Sequence, residues 1–263
     1  FAARDWDAMA ELLADDLHYE DRRRVVNAGI RHGRDSVLGD MRAAAEMGIP
    51  EFATTEIATR GERLVLVRAE SCYDVRPGAF YVENLAIAEI DAAGRMTAQV
   101  MFDTDDVDAA LQELDKRYVA GEAAQHADTW SAIGDGYAAF NRRDMPRTTP
   151  DWVNIDHRTG GSAFAPGDQT SYIHATWELA RQVRSYATAV HRLNARGAVV
   201  TQLTSGTSHQ GFDVEWQDII LLAGLTSRVG GAPATRRGAE VARGRRPTRG
   251  QSQISVARRS RQM

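Results

Sequence analysis

The sequence predicts an α+β protein built from two tandem domains, each with helices packed on an antiparallel sheet. A motif in the first half returns in the second: residues 16–23 match residues 151–158, with Asp, Asp and Arg at corresponding positions. In both halves, segments with helical spacing of apolar residues precede a series of strand-like segments. The offset of roughly 135 residues far exceeds the repeat periods of about 20 to 50 residues in solenoid proteins, so it indicates a duplicated domain.

The first half predicts helices followed by a sheet. An opening helix and a second helix are predicted from two apolar stripes, Trp6, Met9, Leu12 and Leu13, then Val37, Met41 and Ala45. A short strand at 17–23 lies between them. Four further strands are predicted at 54–60, 63–75, 80–91 and 95–102. A closing helix follows, with an apolar face formed by Val107, Ala110, Leu111 and Leu114.

The second half predicts the same order of helices and strands, except at its C-terminal end. Trp130, Ile133, Tyr137 and Phe140 have helical spacing, and a strand at 152–157 and a helix at 172–183 follow. Strands are then expected at 186–193, 198–205 and 212–222. Where the first half continues into a last strand and helix, the second enters an Arg/Gly-rich segment.

These elements predict four regions. A first domain covers 1–117 and, because Phe1 is not a start methionine, we expect it to be truncated at its N-terminus. A linker covers 118–127. A second domain without the final strand and helix covers 128–225, and a disordered tail covers 226–263.

The order of helix, short strand, helix and antiparallel sheet, with Asp and Arg near the first strand, resembles the nuclear transport factor 2-like (NTF2-like) superfamily and its SnoaL-like branch. The resemblance covers about 1–117 and 126–222. It implies cone-shaped domains in which the concave face of a curved sheet lines a cavity. This superfamily includes enzymes, ligand binders and dimerisation modules, so the fold does not fix an activity.

The second copy carries a further resemblance. Residues 130–158 are similar to C-terminal segments of large actinobacterial, mycobacterial-type signalling proteins, in which cyclase-like or ATPase modules precede such domains. This implies a regulatory context.

The repeated motif supplies the candidate site. Because side chains alternate along a strand, Tyr19, Asp21 and Arg23 share one face. The predicted ligand-binding residues are these three, the nearby Asp103, and the second-copy residues Asn154, Asp156 and Arg158. No catalytic residue is assigned.

The chemistry of the motif leaves two interpretations open. Related epoxide hydrolases activate water with carboxylates held by an arginine, and the resemblance extends that role to Asp21. The alternative is a salt bridge that fixes the strand to a helix, since an adjacent arginine lowers the pKa of a carboxyl group and makes it a weak base.

Other site classes are not expected. The seven histidines show no short metal-ligand spacing, so neither a metal nor a cofactor is predicted. The longest apolar stretch, 219–225, is far shorter than the roughly 20 residues of a membrane span, so no membrane association is predicted. A single cysteine, Cys72, excludes an internal disulfide, and we expect a cytoplasmic protein.

The charge is unevenly distributed. Residues 226–263 hold ten Arg and one Glu, a net +9, and the overall −4 leaves −13 for the rest of the chain. A basic tail can bind phosphates. This tail has no aromatic residue for base stacking, which disfavours nucleic acid as a partner.

Three functional hypotheses follow. The first is a non-catalytic small-molecule-binding or assembly module of a larger regulatory protein, favoured because Tyr19 and Glu20 become Asn154 and Ile155 in the second copy. The second is a SnoaL-like hydrolase, isomerase or cyclase that uses the Asp/Arg pair. The third is nucleic-acid association through the tail. The expected partners are a small apolar or polyketide-like ligand and, within the chain, the other domain in an intramolecular pseudo-dimer.

Overall fold

The structure is a computed structural model that describes residues 3–26, 28–48, 52–72, 81–157 and 164–223. By its internal contacts the chain divides into two compact units. The first is Phe1–Gln125 with Thr188–Val190, and the second is His126–Ala187 with the residues from His191 onward. The fold is α+β, as the sequence predicts.

Within its described residues, the first unit contains three helices and six strands. In chain order they are α1 Trp6–Glu11, β1 Leu13–Asp21, β2 Gly29–His32, α2 Arg34–Glu46, β3 Phe52–Arg60, β4 Leu64–Cys72, β5 Tyr81–Ile90, β6 Met96–Phe102 and α3 Val107–Ala120. The strands form one sheet in the order β2-β1-β6-β5-β4-β3.

Strand β1 joins this sheet through a long-range pairing. It runs parallel to β6, with Tyr19 opposite Gln99 and Asp21 opposite Met101. Its other edge pairs antiparallel with β2. The strands β3 to β6 form antiparallel pairs in sequence order. The first strand of this unit is therefore held by its last strand, β6.

Two sets of helices cover the sheet. Below α1 and α2 the buried residues are Leu13, Leu17, Tyr19, Val37 and Leu38. Helix α3 packs on β3, β4 and β5, and it buries Ala110 and Leu114 completely. The apolar stripes predicted for α2 and α3 thus become the helix faces that meet the sheet. The stripe predicted for the opening helix is wrong at its end, because α1 stops at Glu11, Leu12 is exposed and Leu13 belongs to β1.

The second unit contains α4 Ala127–Asn141, α5 Gln169–Leu179, β7 Arg181–Asn194, β8 Gly197–Thr207 and β9 Asp213–Ala223. The strands form a sheet in the order β7-β8-β9. Its core contains Phe140, Ile173, Trp177, Ala180 and Val183. The indole N–H of Trp177 donates to the carbonyl oxygen of Phe140 at 3.1 Å, which ties α5 to the end of α4.

One element was missed from the sequence and two further sequence predictions are wrong. Strand β2 was not expected, because four residues beginning with glycine give no alternating pattern. The predicted strand at 152–157 has no ladder partner among the described residues. The helix predicted at 172–183 ends at Leu179, because Val183 belongs to β7 and Gln182 before it adopts a positive φ of 52°.

The expected linker at 118–127 has structure of its own. Helix α3 extends to Ala120, a 3₁₀ turn covers Ala124–His126, and α4 begins at Ala127. The tail expected to be disordered lies outside the described residues. No helix in the described part of the chain has the length and apolar character needed to cross a membrane.

Candidate functional site

Tyr19 and Asp21 lie on the buried face of β1. Exposure along the strand alternates, with Leu17, Tyr19 and Asp21 buried and with His18 and Glu20 half-buried. Arg23 lies two residues beyond Asp21 and folds back onto it. The structure therefore brings together the three first-unit residues that the motif predicts on one face.

Asp21 and Arg23 form a bidentate ion pair. The Nε of Arg23 donates to Oδ1 of Asp21 at 3.0 Å and Nη2 donates to Oδ2 at 2.8 Å. The backbone N–H of Arg23 also donates to Oδ1 at 3.0 Å, and the backbone N–H of Ala28 adds a further bond. Asp21 is only 2% exposed, so these donors replace water around its carboxylate.

These contacts fix the protonation state of Asp21. Burial raises the pKa of Asp21, but the hydrogen bonds and charge of Arg23, with the amide of Ala28, outweigh it and hold the pKa below its ordinary value. The pair in turn raises the pKa of Arg23. Asp21 is thus an ionised carboxylate with little basicity, the opposite of a general base poised near neutral pH.

Tyr19 is held by a second arginine. The guanidinium of Arg31 on β2 lies over the ring of Tyr19, 4.5 Å from its centroid, and pairs with Asp40 of α2. Burial, and then the charge of Asp21, raise the pKa of Tyr19, so its hydroxyl stays protonated. Tyr19 therefore packs as part of the core beside the ion pair.

Asp103 lies beside the predicted group but bonds a different arginine. Its Oδ2 accepts from the backbone N–H of Arg24 at 3.0 Å and lies 3.0 Å from Arg24 Nε. Arg24 also pairs with Asp105 and Asp106, and the bond to Asp105 contributes most to its raised pKa. Asp103 anchors the loop after β1 rather than supplying a second carboxylate to Asp21.

Asn154 and Asp156, two of the second-unit counterparts, lie in the segment 152–157, which has no ladder partner among the described residues. Asn154 and Asp156 are half-buried and alternate with the exposed Val153 and Ile155. The backbone N–H of Asn154 donates to the carbonyl oxygen of Pro166 at 2.6 Å. Arg158 lies outside the described residues, so the predicted pair of Asp156 and Arg158 stays a prediction.

A second charged group on the opposite face of β1 was missed from the sequence. Nε of Arg22 lies 2.8 Å from Glu20 Oε1, and its Nη1 lies 3.2 Å from Glu113 Oε2 on α3. Arg117 continues the network, at 2.9 Å from Glu113 and 2.8 Å from Glu89 on β5. Two sequence patterns could have indicated this network: the alternation of His18, Glu20 and Arg22 along β1 and just past its end, and the four-residue spacing of Glu113 and Arg117.

This network holds charged side chains in place where α3 meets the sheet. The hydrogen bond from Arg22 is the main cause that lowers the pKa of Glu20, and the same bond raises the pKa of Arg22. The side chain of Glu113 is 9% exposed and bonds both arginines. The network joins β1, β5 and α3 by charge pairs.

A shallow groove lies at the β3–β4 hairpin and includes Thr59, Val65 and Ile90. Its volume is about 200 Å³, and none of the predicted site residues lines it. Drug-sized ligands occupy pockets of about 300 to 1,000 Å³. The groove is therefore too small for a polyketide-like ligand.

Comparisons with known proteins give structural likenesses only. No family model matches the chain, and no curated protein matches it. A putative polyketide cyclase from Sinorhizobium meliloti is 23% identical and has a TM-score of 0.29, with 38% of this chain and 84% of that chain covered.

Two further solved structures have a similar TM-score to this chain. A putative isomerase of the SnoaL-like family from Agrobacterium tumefaciens is 14% identical, with a TM-score of 0.29 over 39% of this chain and 82% of its own. An NTF2-like protein of unknown function from Exiguobacterium sp. 255-15 is 15% identical, with a TM-score of 0.28 over 36% and 80%. All three TM-scores lie below 0.5.

Proposed function

We propose that the chain is a non-catalytic small-molecule-binding or assembly module of a larger regulatory protein. The observation that supports the proposal is the bonding and the lowered pKa of Asp21. Its buried carboxylate is fully engaged by Arg23 and by backbone amides, and its pKa is lowered. A water-activating base needs a free lone pair and a pKa nearer neutrality.

The surroundings of Tyr19 support binding rather than hydrolysis. Four of the partly buried apolar residues packed against this core are methionines, Met9, Met41, Met96 and Met101. Methionine side chains are flexible and adapt to apolar surfaces of different shape. A small apolar ligand could be accommodated here by rearrangement of these side chains.

The catalytic alternative, a SnoaL-like hydrolase, isomerase or cyclase, demands a change at the ion pair. Arg23 would have to leave Asp21 for the carboxylate to accept a proton, and the buried charge would then lose its partner. Breaking such a pair costs about 3 kcal/mol or more. The pair is better suited to holding the loop after β1.

We also propose that the two units are tandem copies of one domain that form an intramolecular pseudo-dimer. The matched residues Arg4 and Arg143 both adopt positive φ, 54° and 62°. The order α4, extended segment, α5, β7, β8 and β9 parallels α1, β1, α2, β3, β4 and β5. Light scattering on the full chain should give a monomer, and an obligate dimer would contradict the pseudo-dimer.

The functional proposal is tested by native mass spectrometry and a turnover screen on the full chain. We expect either a bound small apolar molecule or no bound molecule, and no turnover of epoxide or ketone substrates. Turnover that Asp21→Asn abolishes, while Arg68→Ala at the exposed Arg68–Glu83 pair leaves it unchanged, would replace the proposal with the catalytic alternative.

A further inference from the structure

One buried polar side chain of the first-unit sheet has an unused hydrogen-bonding atom. Asn84 on β5 is 8% exposed, and its Oδ1 has no hydrogen-bond partner among the described residues. A buried acceptor without a donor is costly, because it gave up its bonds to water on folding. Since nearly all buried polar groups in proteins are bonded, this oxygen indicates a partner outside the chain.

Asn84 lies on the same face of the sheet as Asp21. Asp21 is opposite Met101 on β6, and Met101 is opposite Ala86 on β5. Directly opposed residues of neighbouring strands share a face, and so do residues two positions apart in one strand. Asn84 is two positions before Ala86. Two strand spacings, about 10 Å, separate β1 from β5, so one small molecule is long enough to contact both strands.

The surface around Asn84 is apolar and retains solvent access. Ala69 on β4 is directly opposite Asn84, and Val67 is opposite Ala86. Ala69, Val67 and Met101 are half-buried. Helix α3 packs on β4 and β5, and the other face of these strands is buried at Leu64, Leu66, Leu85 and Ile87. The face that carries Asn84 is therefore the one that a ligand can reach.

The nearby carboxylates already have donors. Asp21 is held by Arg23, and Asp103 is held by Arg24. Asn84 differs from both, because its Oδ1 is uncharged and has no donor among the described residues. An uncharged acceptor on an apolar surface favours an uncharged ligand, since an ion would lose its hydration without gaining a countercharge.

We propose that Asn84 is the polar anchor of a site for small neutral molecules that combine an apolar ring system with a hydroxyl group. The hydroxyl donates to Oδ1 of Asn84, and the ring system packs on Ala69, Ala86 and Met101. Because a hydroxyl also accepts hydrogen bonds, it suits either orientation of the side-chain amide. This inference rests on the proposed small-molecule-binding function and adds the class of ligand to it.

The inference is tested on the full chain with 2-naphthol and 2-methylnaphthalene, in which a methyl group of similar size replaces the hydroxyl. Fluorescence titration should show that 2-naphthol binds about tenfold more tightly, the effect of one hydrogen bond to a buried acceptor. Asn84→Leu and Asn84→Ala should both lose this preference. The affinity of Asn84→Leu for 2-methylnaphthalene should be nearly unchanged, because its apolar contacts remain.

The matched control is Gln217→Leu, which replaces an exposed amide on β9 and should keep the preference for 2-naphthol. Thermal unfolding without ligand separates binding from folding. Replacing an unpaired buried oxygen should leave the melting temperature of Asn84→Leu unchanged or raise it. A large fall in the melting temperature of both Asn84 variants would show a structural role and overturn the inference.

The binding outcomes separate this inference from the proposed function. If the unmodified chain binds both probes equally, or if both Asn84 variants keep the preference for 2-naphthol, Asn84 is not the anchor, and the proposed small-molecule-binding function still stands. If the unmodified chain binds neither probe, the inference is wrong, and the proposed function is then decided by its own mass-spectrometry test.

Discussion

Residues 17–21 and residues 152–156 carry the same repeated motif but form different structures. The first segment lies within β1 and pairs with β6 on one side and β2 on the other. The second has no ladder partner among the described residues and is tied to the chain through Asn154 and Pro166. The segment that would correspond to β6 in the second unit lies beyond Ala223, outside the described residues.

The difference shows that the motif does not determine a strand by itself. Both segments alternate between more and less buried residues. Within the part of the chain that the structure describes, only the first segment has a strand about 80 residues later that satisfies its backbone N–H and C=O groups. The motif sets which side chains share a face, and the partner strand decides whether that face becomes core.

The largest expected effect is on amide hydrogen exchange. Amides in 17–21 should exchange about a thousandfold more slowly than those in 152–156, because β1 is paired on both edges and 152–156 has no ladder partner among the described residues. Exchange followed by mass spectrometry or NMR measures this directly. Equal protection in the two segments would mean that 152–156 has a partner strand, and the contrast between the units would be wrong.

Arg23→Ala tests the ion pair that the first unit builds on this motif. The substitution leaves the buried Asp21 carboxylate without its bidentate partner and should lower the free energy of unfolding by about 3 kcal/mol. Arg68→Ala is the matched control, because Arg68 pairs with Glu83 at 3.1 Å where both side chains are substantially exposed. The control should change stability by less than about 0.5 kcal/mol. Chemical denaturation that gives similar losses for both would contradict a structural role for the pair.

Glycine substitutions in the hairpins β3–β4 and β7–β8 should have smaller effects on stability, and the two hairpins should differ. A side chain at Gly197 would meet the backbone oxygen of Leu222 in the paired strand, which cannot move aside. One at Gly61 would meet the carboxylate of Glu122, a side chain that can rotate away. Gly197→Ala should therefore cost about 2 to 3 kcal/mol and Gly61→Ala about 1 to 2 kcal/mol, measured by thermal unfolding.

Gly94→Ala is the control for these two substitutions. Gly94 has a positive φ of 78°, and an added side chain would meet nothing within 4 Å. Its cost of about 1 kcal/mol reports backbone strain alone. A Gly61→Ala cost that persists unchanged in a Glu122→Ala background would show that contact with Glu122 is not the cause.

The sequence predicted those parts of the fold that depend on local pattern. The spacing of apolar residues that predicts α2, α3 or α4 lies within a single segment of the chain. The alternation that predicts β4 or β5 is local in the same way. The parallel pairing of β1 with β6 and the short strand β2 depend on distant contacts, which a local pattern does not report. The prediction of a strand at 152–157 was wrong for the same reason.

The candidate site shows the same division between features set by local pattern and features set by distant contacts. Strand alternation is local, so it places Tyr19 and Asp21 on one face, whereas Arg23 lies beyond the end of β1 and reaches Asp21 through their ion pair. The bonding of Asp103 to Arg24 and the network from Glu20 to Glu113 depend on how a loop and α3 pack against β1. These contacts join residues 79 and 91 positions apart in the chain.

The most direct test of a structural rather than catalytic Asp21 is the stability of the unmodified chain and of Asp21→Asn from pH 7 down to pH 2.5. The folded-state pKa of Asp21 is lowered, so its ionised form stabilises the fold above the unfolded carboxyl pKa of about 3.9. The unmodified chain should therefore be the more stable of the two at neutral pH, and its advantage should shrink as the pH falls through about 4 toward the folded-state pKa. An advantage that instead grows as the pH falls from 7 would mean a raised pKa, as in a buried general base, and would contradict the account.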